Sequence, residues 1–113
     1  MTLPAIIPLD AIHAARERLR GTVVRTPVVA FRHDDARPDI RLKLENLQPI
    51  GSFKLRGAGN AMRAMPPDAL GDGVWTASAG NMAQGVAWCA REMGVPCTVV
   101  VPDHAPETKT RAV

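Results

Sequence analysis

The chain has 113 residues, room for one small domain but not for two complete lobes with a cleft between them. Its 46% apolar and 22% charged content is that of a globular protein and excludes a disordered one, and no apolar run approaches the ~20 residues of a membrane span. The formal charge of +3 raises a nucleic-acid partner, but the cations are scattered (Arg16, Arg18, Arg20, Arg25, Arg32, Arg41, Lys43), with no tyrosine and only two Phe and two Trp to stack on bases. Neither a nucleic acid nor a membrane is therefore expected as a partner.

Met1 to Pro8 has no basic region ahead of its short apolar stretch, which speaks against a secretory signal and for a cytoplasmic protein. Cys89 and Cys97 are the only cysteines, and no Cys/His spacing suggests a metal. Both read as reduced core residues, Cys89 on a helix and Cys97 opening a strand.

In chain order, Asp10 can cap a helix from Ala11 to Arg20 that Gly21 stops. Thr26-Pro27 breaks the Val23 to Val29 region into a turn or an edge strand. Ile40, Leu42 and Leu44 alternate with Arg41, Lys43 and Glu45, the period of a strand with one wet face. A loop from Asn46 to Gly51 follows, and Ser52 can cap a helix running to about Met65, where Pro66-Pro67 ends it.

Val74 to Ala77 reads as a short strand, and Ser78 to Gly80 as a tight loop. Met82, Val86, Cys89, Ala90 and Met93 then mark one buried helical face. Gly94 closes that helix, and the β-branched run from Cys97 to Val101 suits a parallel strand covered on both faces. Residues 74–101 thus form a βαβ unit. A last helix starts around Pro106 with His104 as its cap, while His13 and His33 read as surface or capping residues. The sequence ends within two turns of that helix, so a fragment of a longer chain is expected.

Two segments carry chemistry. In Gly51-Ser52-Phe53-Lys54-Leu55-Arg56-Gly57-Ala58-Gly59, two cations sit in the first turn of a helix, where the dipole disfavours them by roughly 0.3 kcal/mol or more. Each of the two helical glycines costs about 1 kcal/mol against alanine. Such local violations are expected at a functional site. A lysine near a helix N-terminus with Arg56 close by has its protonated form disfavoured, which makes the amine available as nucleophile or base, and the glycines allow close approach of backbone or ligand. The alternative is a surface lysine in a loose first turn. In Thr76-Ala77-Ser78-Ala79-Gly80-Asn81, a strand runs through a small loop into a helix, a junction whose free N–H groups suit a carboxylate or phosphate. Here the alternative is an ordinary N-cap.

Taken with Thr26-Pro27, Glu45-Asn46 and Val101-Pro102, these strings resemble the threonine/serine dehydratase branch of the fold type II, tryptophan-synthase-β-like pyridoxal-phosphate enzymes. Ser-Phe-Lys-Leu-Arg-Gly-Ala is the most specific of them. The resemblance implies an α/β fold comprising the start of the large cofactor domain, residues 1–52, and the lysine helix with part of the small βαβ domain, residues 53–113. It implies that Lys54 carries pyridoxal 5'-phosphate as a Schiff base and moves the substrate Cα proton. Phe53 and Asn81 would contact the cofactor ring, and Ser78, Ala79 and Asn81 would hold the substrate carboxylate.

The implied reaction converts threonine or serine to a 2-oxo acid and ammonia, in a full-length protein expected to be a homo-oligomer. The open alternatives are a non-catalytic fragment of such an enzyme, or a relative acting on another hydroxy-amino acid. Two departures matter. Met82 stands where the family usually has His, which opens the question of substrate preference. Ala79 stands where serine racemases of the group carry a second, proton-donating serine, which favours elimination over racemisation. The family's Gly-rich phosphate loop and its Ser or Cys partner for the pyridine nitrogen do not occur in these residues.

Overall fold

The elements are held together by two helices packed across an apolar seam. The computed structural model describes residues 6–32, 38–103 and 107–111. Helix α2, Lys54–Ala64, turns Leu55, Ala58, Gly59 and Met62 inward at the spacing of one helical face. Helix α3, Asn81–Met93, presents Cys89 and Ala90 to them, with Met82, Val86 and Met93 packed around the seam. Leu55 is wholly buried, and removing such a side chain from water is worth roughly 2 kcal/mol.

The βαβ unit forms as its sequence pattern requires. Strand β3, Val74–Ala77, and strand β4, Cys97–Val100, pair in parallel with Val74 opposite Cys97 and Ala77 opposite Val100, and α3 connects them. Gly94 ends α3 in the left-handed region (φ 67°). Val95 N–H donates to the Ala90 carbonyl at 2.9 Å and Gly94 N–H to Arg91 at 3.2 Å, the two bonds of a Schellman closure.

Gly73, just before β3, has φ +92°, and a Cβ there would stand 2.8 Å from the Pro96 carbonyl oxygen. Gly73→Ala is therefore expected to cost about 2 kcal/mol, read as a lowered thermal midpoint with unchanged far-UV dichroism.

Helix α1, Leu9–Arg18, begins two residues earlier than expected, ahead of its candidate cap. Pro8 takes the cap position and Asp10 lies in the first turn, where its charge suits the dipole. Strands β1, Val28–Ala30, and β2, Arg41–Lys43, form an antiparallel pair, so the region around Thr26-Pro27 leads into an edge strand. A short fourth helix, α4, spans Glu107–Thr110. The readings for His33 and for His104 as a cap fall outside the described residues, and His13 is exposed.

Three burial expectations are corrected. β2 is exposed on both faces rather than one, because its only sheet neighbour is β1 and nothing described covers the pair. β4 is mostly exposed rather than covered on both faces, and Cys97 is an exposed residue rather than a core one. The cause is common to both: the sheet has two strands, with α3 packed on them and no third strand beside β4 among the described residues. Cys89 is buried as expected. No described helix is long and apolar enough to cross a membrane.

Candidate active site

The loop before α2 is a set of tight local bonds that fixes where the helix begins. Gly51 adopts φ +69°, and its N–H donates to the Gln48 carbonyl at 2.7 Å. Ser52 is buried, and its Oγ accepts the Lys54 N–H at 3.3 Å, but the cap position is held by Phe53 rather than by Ser52, and the helix opens at Lys54. Lys54 is half-buried, with its Nζ 5.0 Å from the centroid of the Phe53 ring, and that ring is 59% exposed. No carboxylate among the described residues pairs with the Lys54 amine.

Arg56 is not the bare cation beside Lys54 that the sequence suggests. Its Nε and Nη2 donate to the two carboxylate oxygens of Glu45, each at 2.8 Å. Glu45 also accepts from the Thr26 hydroxyl and from Gln48 Nε2 at 3.2 Å. Gln48 in turn pairs with the Val24 backbone in both directions, donating to its carbonyl at 2.8 Å and accepting its N–H at 2.9 Å. The Arg56 guanidinium, first among the causes, with the Thr26 and Gln48 hydrogen bonds, holds the Glu45 carboxyl down at about 2 despite the opposing effect of burial. This knot ties the 22–26 loop, the 3-10 turn Glu45–Leu47 and the first turn of α2 into one unit.

The second segment arrives beside the first through a glycine. Ser78 N–H extends the β3–β4 ladder to the Val100 carbonyl at 3.1 Å, and Ser78 Oγ accepts the Gly80 N–H at 3.2 Å. Gly80 opens α3 with extended backbone and no side-chain cap, so first-turn N–H groups are left for another acceptor. A Cβ on Gly80 would meet nothing within 4 Å.

One turn further on, a Cβ on Gly85 would stand 3.3 Å from both the Lys54 carbonyl oxygen and the Ala58 Cβ. The start of α2 therefore touches the second turn of α3, with Asn81 about 6 Å of helix rise from that contact. Ser78 and Ala79 are half-buried and Asn81 is exposed.

The chain matches the pyridoxal-phosphate dependent enzyme family over residues 19–113. It belongs to that family. It is 46% identical over 109 residues to the L-threonine ammonia-lyase of Geobacter sulfurreducens, covering 95% of this chain and 27% of that protein. Over 77 residues it is 56% identical to the biosynthetic L-threonine dehydratase of Burkholderia multivorans, covering 68% of this chain and 15% of that protein. Maize serine racemase superposes with a TM-score of 0.86 at 38% identity, covering 92% of this chain and 32% of that structure. The chain thus spans about a third or less of the length of these relatives, and its α/β architecture is a part of the fold type II arrangement.

The starts of α2 and α3 carry groups whose chemistry is compatible with a pyridoxal-phosphate cofactor. They offer an unpaired primary amine, a side-chain amide, and uncapped helix N–H groups beside a glycine with open space. Two features of this site escape sequence reasoning. Gly85, within the helix that the spacing from Met82 to Met93 predicts, is a point of close approach between α3 and the start of α2. Glu45 lies in the motif string, but its pairing with Arg56 joins residues eleven apart through a turn that no periodicity reveals. The two lysine-segment glycines also divide: Gly59 packs against Leu19, Thr22 and Cys89, whereas Gly57 faces open space.

Proposed function

We propose that this chain supplies the lysine and the carboxylate-binding segments of a pyridoxal-phosphate-dependent ammonia-lyase acting on L-threonine or L-serine. The observation that carries the reading is the contact of Gly85 with the first turn of α2, which brings the two chemical segments together. The names of the Geobacter and Burkholderia relatives support the reaction class.

In this reading, Lys54 Nζ is the covalent attachment point and then the group that takes up the substrate Cα proton, with the β-hydroxyl leaving as water and the released enamine hydrolysing. Phe53 lies along the cofactor ring, and Asn81 donates to its 3'-oxygen. Ser78, Ala79 and Asn81 bind the substrate carboxylate through backbone and side-chain donors at the uncapped start of α3. The bound pyridoxal phosphate supplies the electron sink at Cα. Ala79 has only a methyl group, so this position gives no proton to the second face of Cα, and loss of the β-hydroxyl outruns inversion. The products are a 2-oxo acid and ammonia.

We assign residues 1–52 to the large cofactor domain and residues 53–113 to the lysine helix and small domain, in a cytoplasmic enzyme that is a homo-oligomer at full length. Trp75 is 73% exposed and Val100 52%, which favours a second reading for the chain on its own: non-catalytic until a complementary segment covers the β3–β4 sheet.

Incubation with pyridoxal phosphate and L-threonine or L-serine tests both readings. Equal amounts of 2-oxo acid and ammonia are expected, from the chain alone under the first reading. Under the second, they appear only after a segment equivalent to the rest of the Geobacter relative is added. Accumulation of the D-amino acid without ammonia would overturn the lyase assignment.

A further inference from the structure

The cations that look scattered along the sequence converge in space. Arg16, Arg20, Arg25, Lys43 and Arg56 line one cavity of about 370 Å³, in which Glu17 is the one carboxylate among the described lining residues. Three of the five are already engaged. Arg20 pairs with Glu17 at 2.7 Å, and Lys43 and Arg56 pair with Glu45 at 3.7 and 2.8 Å. Arg16 and Arg25 have no carboxylate partner among the described residues.

The end of α1 does not absorb them either. The Ala15, Glu17 and Leu19 carbonyls there accept the N–H groups of Leu19, Arg20 and Thr22 at 3.0, 3.1 and 2.9 Å. With Glu17 and Glu45 set against the five cations, three positive charges remain in excess at one concave surface. A site lined in this way focuses the field on an incoming anion.

We propose that this cavity binds a small, multiply charged anion of the phosphate class, held by Arg16 and Arg25 with Arg56 in the wall. Guanidinium forks match phosphate oxygens in geometry as well as charge. The volume is near the lower end of the roughly 300–1,000 Å³ of small-molecule sites, and no aromatic residue lines it on which a base could stack. The site is distinct from the Lys54 amine, because residues 54 and 56 project about 200° apart around a helix. It stands whether or not Lys54 carries a cofactor. An anion there competes with Glu45 for Arg56, so its arrival reaches the first turn of α2.

Titration of the chain with pyrophosphate at low salt, followed by calorimetry and by amide chemical shifts, tests the proposal. One saturable site is expected, with shift changes centred on residues 19–25. The double variant R16Q/R25Q should bind at least roughly tenfold more weakly, while Arg63→Gln, outside the cavity, leaves binding unchanged. Neither Arg16 nor Arg25 has an ion-pair partner to lose among the described residues, so the double variant should keep the wild-type dichroism; if it does not fold, the wild-type shift map alone decides. Absence of saturation, equal binding by R16Q/R25Q, shift changes centred elsewhere, or an oligonucleotide that pyrophosphate fails to displace would each overturn it.

Discussion

Glu45→Gln is expected to destabilise the chain by about 2 kcal/mol at neutral pH, because it leaves the Arg56 guanidinium without its charged partner in a half-buried place. The amide can accept one of the two Arg56 N–H bonds but cannot accept both as a carboxylate does. The effect has a pH signature whose direction follows from the lowered carboxyl. Unfolded, Glu45 titrates near 4.5; folded, near 2. Its stabilising contribution is therefore complete above about pH 4.5 and is lost as the pH falls towards 2. Thermal unfolding of wild type and Glu45→Gln between these limits should show the two midpoints converging on acidification. Glu17→Gln, at an exposed pair on α1, should change stability by less than about 0.5 kcal/mol at any pH. Midpoints that stay parallel from pH 7 to 2 would show that the Glu45 charge contributes nothing.

Gly85→Val should be more damaging still, by about 3 kcal/mol, for a different reason. Even a single Cβ at this position is tight against the Lys54 carbonyl and Ala58, with Ile50 Cδ1 at 3.5 Å. The branched carbons of valine have nowhere to go unless α3 moves away from α2. That movement would separate the amine of Lys54 from the uncapped start of α3, so cofactor retention should fall together with stability. The exposed Gly57, on the same helix as Lys54, offers the contrast. A Cβ there meets nothing within 4 Å, and Gly57→Ala should hold or raise the unfolding midpoint through helix propensity alone. Equal midpoints for Gly85→Val and wild type would show that the helices are not locked at this contact.

These two positions also mark what sequence could and could not reveal. The order of the elements, the parallel βαβ unit and the buried face of α3 were legible because period and punctuation are local: Gly94 stops a helix, and Met82 to Met93 repeat at helical spacing. Lys54 was legible as an anomaly, a cation in the wrong turn. The state of its neighbour was not, since Arg56 is neutralised by a carboxylate brought in by a turn. Gly85 drew no reading from the sequence, because the need for a missing side chain is visible only from the facing helix. Cys97 and β4 erred in the opposite direction. Their apolar, β-branched composition is suited to a covered strand, and the described residues provide only one covered face.

The same logic explains why the two candidate segments break local rules. The uncapped start of α3 and the amine at the start of α2 are each unfavourable for an isolated helix. They are useful once an anionic group and a carbonyl carbon arrive between them. The knot around Glu45 offsets part of that cost by holding the opposite side of α2 in place.

The central claim is that Lys54 is the lysine that takes pyridoxal phosphate. The chain has three lysines, Lys43, Lys54 and Lys109, so borohydride reduction in the presence of the cofactor, followed by peptide mass mapping, discriminates among them. The account predicts a single adduct on the peptide containing Lys54, and none in Lys54→Ala. An adduct on Lys43 or Lys109 in its place, or an unmodified Lys54 at saturating cofactor, would contradict it.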